Sequence, residues 1–270
     1  MPPAITADET AAYLAFADRL ADAAQVATLA HFRQQLRTDD KGDGDTGFDP
    51  VTAADREAEA AMRRLIEETF PDHGILGEEH GAKPARGPWR WVLDPIDGTK
   101  AYIMGLPTWG TLIALEHEGE PVLGLMDQPY VGERFRAANG RGEVIRAGRS
   151  TPLASRRCTG LGAAILATTH PDIFAQGREA EAFGRVSRAA RMTRFGCDCY
   201  NYAMIATGGV DLVIEAALKP MDISPLVPII RAAGGIVTDW SGGPAATGGQ
   251  VIAAGDARVH AAALDLLNAA

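Results

Sequence analysis

Near the start of the chain Leu14, Ala17, Ala21, Ala24, Leu29 and Phe32 recur at helical spacing among many alanines. That stripe predicts an amphipathic helix over residues 8–37. Asp, Gly and Lys then dominate residues 38–50, which predicts a mobile surface loop. Thr52 can cap a second helix over 53–69, with Asp55 in its first turn, and Phe70-Pro71-Asp72 ends it. Short apolar runs at 73–77 and 89–93 predict strands, and 97–104 a short helix closed by Gly105 and Pro107. Residues 109–116 and 122–128 read as a hairpin turning near Gly119, with a third strand at 134–138.

The pattern then changes. Apolar strands are predicted at 163–168, 192–195, 210–215, 236–238 and 251–254. Helices alternate with them at 171–190, 199–207, 224–233 and 257–267. Ser224-Pro225 is a favoured helix start. Alternation of this kind predicts an α/β (α+β) fold in layers. Residues 1–270 are expected to form one domain with two halves, about 1–145 and about 150–270, hinged within 142–159.

The 270 residues are 46% hydrophobic and 23% charged, as in an ordinary globular protein. A net charge of −9 argues against nucleic acid as a partner, since backbone phosphates need a basic face. A small phosphorylated metabolite is not excluded, because bound metal reverses the local field. Cys158, Cys197 and Cys199 lack framework spacing, which points to reduced, packed thiols and a cytoplasmic setting. No signal-peptide pattern or membrane span is expected. The six histidines show no metal-ligand spacing.

The run Trp91-Val92-Leu93-Asp94-Pro95-Ile96-Asp97-Gly98-Thr99 carries the candidate chemistry. Two carboxylates follow an apolar strand, and hard divalent cations prefer such oxygen ligands. Gly98 and Thr99 open the next helix, and a helix start attracts phosphate. Metal and phosphate sites side by side point to metal-dependent phosphate ester hydrolysis. Asp55, Glu78, Glu79 and Asp222 also stand at element boundaries where a rigid element can hold a carboxylate in a cleft. Asp55 and Glu79 taken alone read equally well as solvated charges. An Asp-x-Asp-x-Thr nucleophile loop is set aside, because here two residues separate the acids.

Four segments together resemble the inositol monophosphatase superfamily of lithium-sensitive, Mg²⁺-dependent phosphatases. They are Asp49-Pro50-Val51-Thr52-Ala53-Ala54-Asp55, Leu76-Gly77-Glu78-Glu79, Leu93 to Thr99, and Met221-Asp222 before a helix ending in Ala-Gly-Gly. The resemblance implies a five-layer α-β-α-β-α sandwich, usually a homodimer. It implies two or three Mg²⁺ ions, one held by Glu78, Asp94 and the Ile96 carbonyl, another by Asp94, Asp97 and Asp222. Glu78 would help hold a third, looser ion through water. Thr99 and Glu78 would position and deprotonate the attacking water, with Asp55 supporting Thr99. Gly98 and Thr99 amides would receive the phosphate. Lys41 is the candidate for a lysine common in that family's preceding loop, which by its composition is a candidate lid over 38–48. Inhibition by Li⁺ is a further implication.

Substrate choice must come from the second half. Glu215 precedes Asp222 by seven residues, the family's spacing for a glutamate facing substrate hydroxyls. Gly196-Cys197-Asp198-Cys199-Tyr200 stands where inositol phosphatases carry small residues. Asp198 with Glu215 would make a doubly acidic pocket, suited to a cationic leaving group. Asp198 also reads as the cap of the following helix. Leu106-Pro107-Thr108-Trp109-Gly110-Thr111, Gly196-Cys197-Asp198-Cys199-Tyr200 and Leu218-Lys219-Pro220-Met221-Asp222 together resemble the histidinol-phosphate phosphatase branch. L-histidinol phosphate is therefore the expected substrate. An inositol-1-phosphate or broad sugar-phosphate phosphatase, a nucleotide 3′-phosphatase and a non-catalytic binding protein are the alternatives. The intact metal-ligand positions disfavour the last.

Overall fold

The computed structural model describes residues 5–34, 38–40 and 50–269. Helix α1 spans Ala7–His31 and starts at a capping box in which Thr6 and Glu9 satisfy each other's amides. It ends earlier than its periodicity predicts. Phe32 leaves the helical conformation and its buried ring packs against Tyr102 and Trp109. Strands β1 (Thr38–Asp40) and β2 (Pro50–Thr52) pair antiparallel where only a loop was expected. Lys41 and the rest of the proposed lid lie outside the described residues. Helix α2 covers Ala53–Thr69.

Strands β3 (Gly74–Gly77), β4 (Gly81–Lys83) and β5 (Trp89–Asp97) follow, then helix α3 (Thr99–Ile103). β5 runs further than the apolar run predicts, through both aspartates, because a bulge between Asp94 and Asp97 absorbs Pro95. α3 is shorter than expected because Gly98, at φ +85°, holds a left-handed turn before it. β6 (Gly110–His117), β7 (Glu120–Gln128) and β8 (Glu133–Ala138) form the expected meander. β9 (Arg141–Arg146) and β10 (Arg149–Pro152) continue it through most of the segment read as a hinge. Their polar, exposed positions hid them from an apolar pattern.

In the second half β11 is Ile165–Thr168, α4 Arg178–Ala189, β12 Met192–Phe195, α5 Asp198–Ala206 and β13 Leu212–Leu218. The helix predicted from residue 171 breaks at Gly177, so only a 3-10 turn at Pro171–Ile173 precedes α4. The helix predicted over 224–233 is α7 (Leu226–Ala232), opening after Pro225, and a short unpredicted helix α6 (Pro220–Ile223) precedes it. β14 (Ile236–Asp239), β15 (Gly249–Ala254) and α8 (Ala257–Asn268) complete the chain. No helix among the described residues is long and apolar enough to cross a membrane.

The large sheet has the order β10-β9-β8-β7-β6-β5-β3-β4, antiparallel except between β3 and β5. The small one is mixed, β12-β11-β13-β15-β14. Alternation along the strands gives each sheet two apolar faces. Phe16 and Leu20 of α1 and Met62 and Ile66 of α2 meet Trp91, Leu93, Ile113 and Leu125. On the opposite face Leu112, Met126 and Phe135 meet Tyr202 of α5 and Ile229 of α7, which also touch Val213 and Val251 of the small sheet. Leu212, Ile214 and Ile252 face outward to Phe183 of α4 and Val259 of α8. The result is the five-layer α-β-α-β-α sandwich. The middle helices come from the second half and pack on strands of both, so the halves share a core. Gly124 marks how closely the layers approach: a Cβ there would lie 1.9 Å from the Pro225 carbonyl oxygen.

Candidate active site

The bulge in β5 is built by its own short-range bonds. The Ile96 amide donates to Asp94 Oδ1 at 3.0 Å, and the Thr99 hydroxyl donates to the Ile96 carbonyl at 3.0 Å. Thr111 of β6 donates to the Pro95 carbonyl at 2.8 Å. Beneath, the Ile96 side chain is buried among Phe32, Ala54, Tyr102 and Trp109. An apolar anchor below and hydrogen bonds above fix where Asp94 and Asp97 point.

Two other elements deliver further carboxylates. The fixed start of α6 brings in Asp222, whose Oδ2 accepts the Lys219 amide at 2.7 Å. Carboxylate oxygens of Asp94, Asp97 and Asp222 lie within 4.8 Å of one another. Glu78 follows β3, with its amide on the Leu93 carbonyl at 3.3 Å and its Oε1 3.1 Å from Lys219 Nζ. Buried Glu59 of α2 shapes this turn, accepting the Glu79 and His80 amides at 2.6 and 3.1 Å. It fills the space beside Gly77, where a Cβ would lie 2.0 Å from Glu59 Oε1.

Burial, then the nearby Glu78, Asp97 and Asp222, holds Asp94 well above the usual carboxylate range. Burial, then Asp198 and Asp222, does the same to Asp97 against the opposing Cys199 amide. Acids forced this close destabilise one another unless a cation lies between them. Oxygen donors alone, converging from three rigid elements, fit a hard divalent cation. Asp94, Asp97 and Asp222 would hold it, with Glu78 and the Ile96 carbonyl at the margin.

The pocket above these groups measures about 200 Å³. Glu78, Asp94, Ile96, Asp97, Gly98, Thr99, Asp198 and Asp222 line it, joined by Lys100, Thr169 and Lys219, which the sequence had not singled out. Asp198 faces the phosphate loop directly: a Cβ on Gly98 would meet its Cβ, Cγ and Oδ2 at 3.2 Å. The Cys199 amide donates to Asp97 Oδ2 at 2.7 Å, tying the start of α5 to the metal strand. Cys197 and Asp198 reach this position through left-handed conformations, φ +81° and +42°. Asp198 therefore opens α5 without a capping bond of its own, and burial lifts its pKa to about 6, moderated by Lys100.

Four expected site residues stand outside the lining. Glu215 is buried behind it, accepting the Thr169 amide and hydroxyl at 3.0 and 2.5 Å and the Tyr202 hydroxyl at 3.1 Å. Burial raises it to about 7, and Asp198 adds to the rise. Asp55 accepts the Thr52 amide and hydroxyl at 2.8 and 2.5 Å and shares no hydrogen bond with Thr99, whose hydroxyl goes to Ile96. Burial lifts Asp55 to about 6. Glu79 lies near enough to Asp55 to raise it further, and Cys197 only shapes the turn before Asp198. The signals missed were polar residues one step past a strand: Thr169 after β11 and Lys219 after β13.

A model of the inositol monophosphatase family matches residues 9–269. The chain belongs to the inositol monophosphatase family. It is 42% identical over 98% of its length to the bifunctional phosphatase IMPL2 of Arabidopsis thaliana, covering 78% of that protein. It is 36% identical over 94% of its length to a histidinol-phosphatase of Streptomyces coelicolor, covering 96% of it. Among solved structures, an inositol monophosphatase from Zymomonas mobilis superposes with a TM-score of 0.85 at 40% identity, over 98% of this chain and all of that one. Membership makes the chain a phosphatase of a metal-dependent family, and the acidic cluster at the β5 bulge is a group capable of binding a metal.

Proposed function

We propose that the protein is a Mg²⁺-dependent phosphomonoesterase that hydrolyses L-histidinol phosphate to L-histidinol and phosphate. One observation carries the substrate: Asp198 lines the pocket wall over Gly98, with buried Glu215 behind it. A carboxylate here would repel nothing in a leaving alcohol that bears an amine and an imidazole, and it attracts their positive charge. Histidinol-phosphatase relatives at 34–36% identity support the same reading. A cytoplasmic homodimer acting on a small metabolite belongs to this proposal.

The chemistry follows from the residues. Asp94, Asp97 and Asp222 would hold a divalent cation, which would supply an activated water and offset the charge of the phosphate. Gly98 and Thr99 present the first amides of α3 to the phosphate oxygens. Glu78 accepts the proton of the attacking water, with the Thr99 hydroxyl held by Ile96 beside it. Asp198 orients the leaving alcohol through its amine. Asp55 serves this site by holding the start of α2 beneath Ile96 and Ala54.

The second reading, inositol-1-phosphate or another sugar phosphate, is favoured by likeness to the Zymomonas mobilis inositol monophosphatase. Asp198→Ala separates the two. Loss of one charge contact should raise KM for L-histidinol phosphate about tenfold or more and leave KM for p-nitrophenyl phosphate within about twofold. Equal effects on both substrates would remove Asp198 from substrate recognition.

A further inference from the structure

Lys219 joins two of the candidate metal ligands. Its amide donates to Asp222 Oδ2 at 2.7 Å, and its ammonium lies 3.1 Å from Glu78 Oε1. Those ligands come from opposite halves of the chain, and Pro220 stiffens the turn that carries the lysine. Among the described residues, only Lys100 and Lys219 bring positive charge to the pocket lining, against five carboxylates. Lys100 acts on Asp198, at the substrate wall. Lys219 acts on Glu78, at the margin of the metal cluster.

We propose that Lys219 is a positioning residue that serves as a resident cation on Glu78 and competes there with a divalent ion. This rests on the pocket binding divalent cations. With Glu78 paired, the Asp94, Asp97 and Asp222 cluster keeps its full attraction for metal, while Glu78 offers an incoming ion little net charge. An ion drawing on Glu78 must displace the ammonium or share the carboxylate with it, so that ion is the weakest held. The lysine side chain is 52% exposed, which lets it swing aside. It also means that the pair adds little to folding stability. Its effect is therefore on metal affinity and not on the fold.

A Mn²⁺ titration followed by electron paramagnetic resonance of the free ion tests this without any turnover. Wild type, K219M, K219R and the double variant E78Q/K219M are compared at one ionic strength. Removing a positive charge a few ångströms from the ion should tighten the weakest Mn²⁺ step of K219M at least about tenfold, or add one bound ion. K219R should match wild type, and E78Q/K219M should lose the gain. Coincident isotherms for K219M and wild type, or a gain that survives in E78Q/K219M, would overturn the proposal. If wild type itself binds no Mn²⁺, the metal reading fails and this proposal falls with it. Should K219M melt far below wild type, K219Q carries the same comparison.

Discussion

Asp94 is where the forces on the site meet. It is buried, it accepts the Ile96 amide, and that burial together with four neighbouring carboxylates pushes its pKa upward. Asp94→Asn removes the ligand and also relieves that repulsion. Phosphatase activity should fall at least about a hundredfold while the metal-free protein melts no lower than wild type. Phosphate release and a thermal melt in chelator check the two halves of that statement. The carboxylates that cluster here were legible in the sequence because Glu78, Asp94 and Asp97 each stand beside a Pro or Gly at the end of an apolar run and Asp222 follows Pro220 by two. Asp198 was legible as an acid where small residues were expected, but its closeness to Gly98 arises from left-handed turns that the sequence does not announce. Glu59 was hidden because nothing in α2 distinguishes a buried glutamate from the exposed charges around it.

At the level of elements, the apolar strands and their helices followed from periodicity, and β12 was predicted with its observed bounds. Polar segments were not readable in this way: β10 is the exposed edge of the large sheet, and β9 beside it is only half-buried, so both show few apolar positions. Breaks were underestimated where Gly177 and Gly98 each stop a helical pattern, whereas the start read at Ser224-Pro225 is where α7 opens. The joint between layers is similarly hidden. β7 lets the α6–α7 turn approach only because residue 124 has no side chain. A backbone carbonyl cannot turn aside, so Gly124→Ala should cost about 1–3 kcal/mol by overpacking. Denaturant unfolding checks this, and a stability equal to wild type would mean that the layers separate easily.

Across the whole molecule, the pocket opposes folding until a cation enters it. Burial first, then mutual repulsion, raises Asp94 and Asp97, while burial lifts Asp55 and Asp198 to about 6 and Glu215 to about 7. In the unfolded chain these acids titrate near 4. The folded state therefore holds protons that the unfolded state has released, so stability is full at low pH and falls as pH rises through about 4 to 7. Asp211, lowered by Arg156 and the Ile165 amide against its burial, works in the opposite sense, but only below about pH 4. In chelator the melting temperature should drop by several degrees between pH 5.5 and pH 8, and Mg²⁺ should remove most of that drop, because it binds the ionised carboxylates. A rise with pH in chelator would contradict this. The shared core allows the two halves to meet at one pocket, with Glu78, Asp94 and Asp97 from the first and Asp198 and Asp222 from the second. The central claim is that this wall selects a cationic alcohol. The most direct test is kcat/KM with Mg²⁺ for L-histidinol phosphate against myo-inositol 1-phosphate. A wall carrying Asp198 should give a preference of at least about tenfold for L-histidinol phosphate, as one charge contact supplies. Faster turnover of the inositol ester would contradict it.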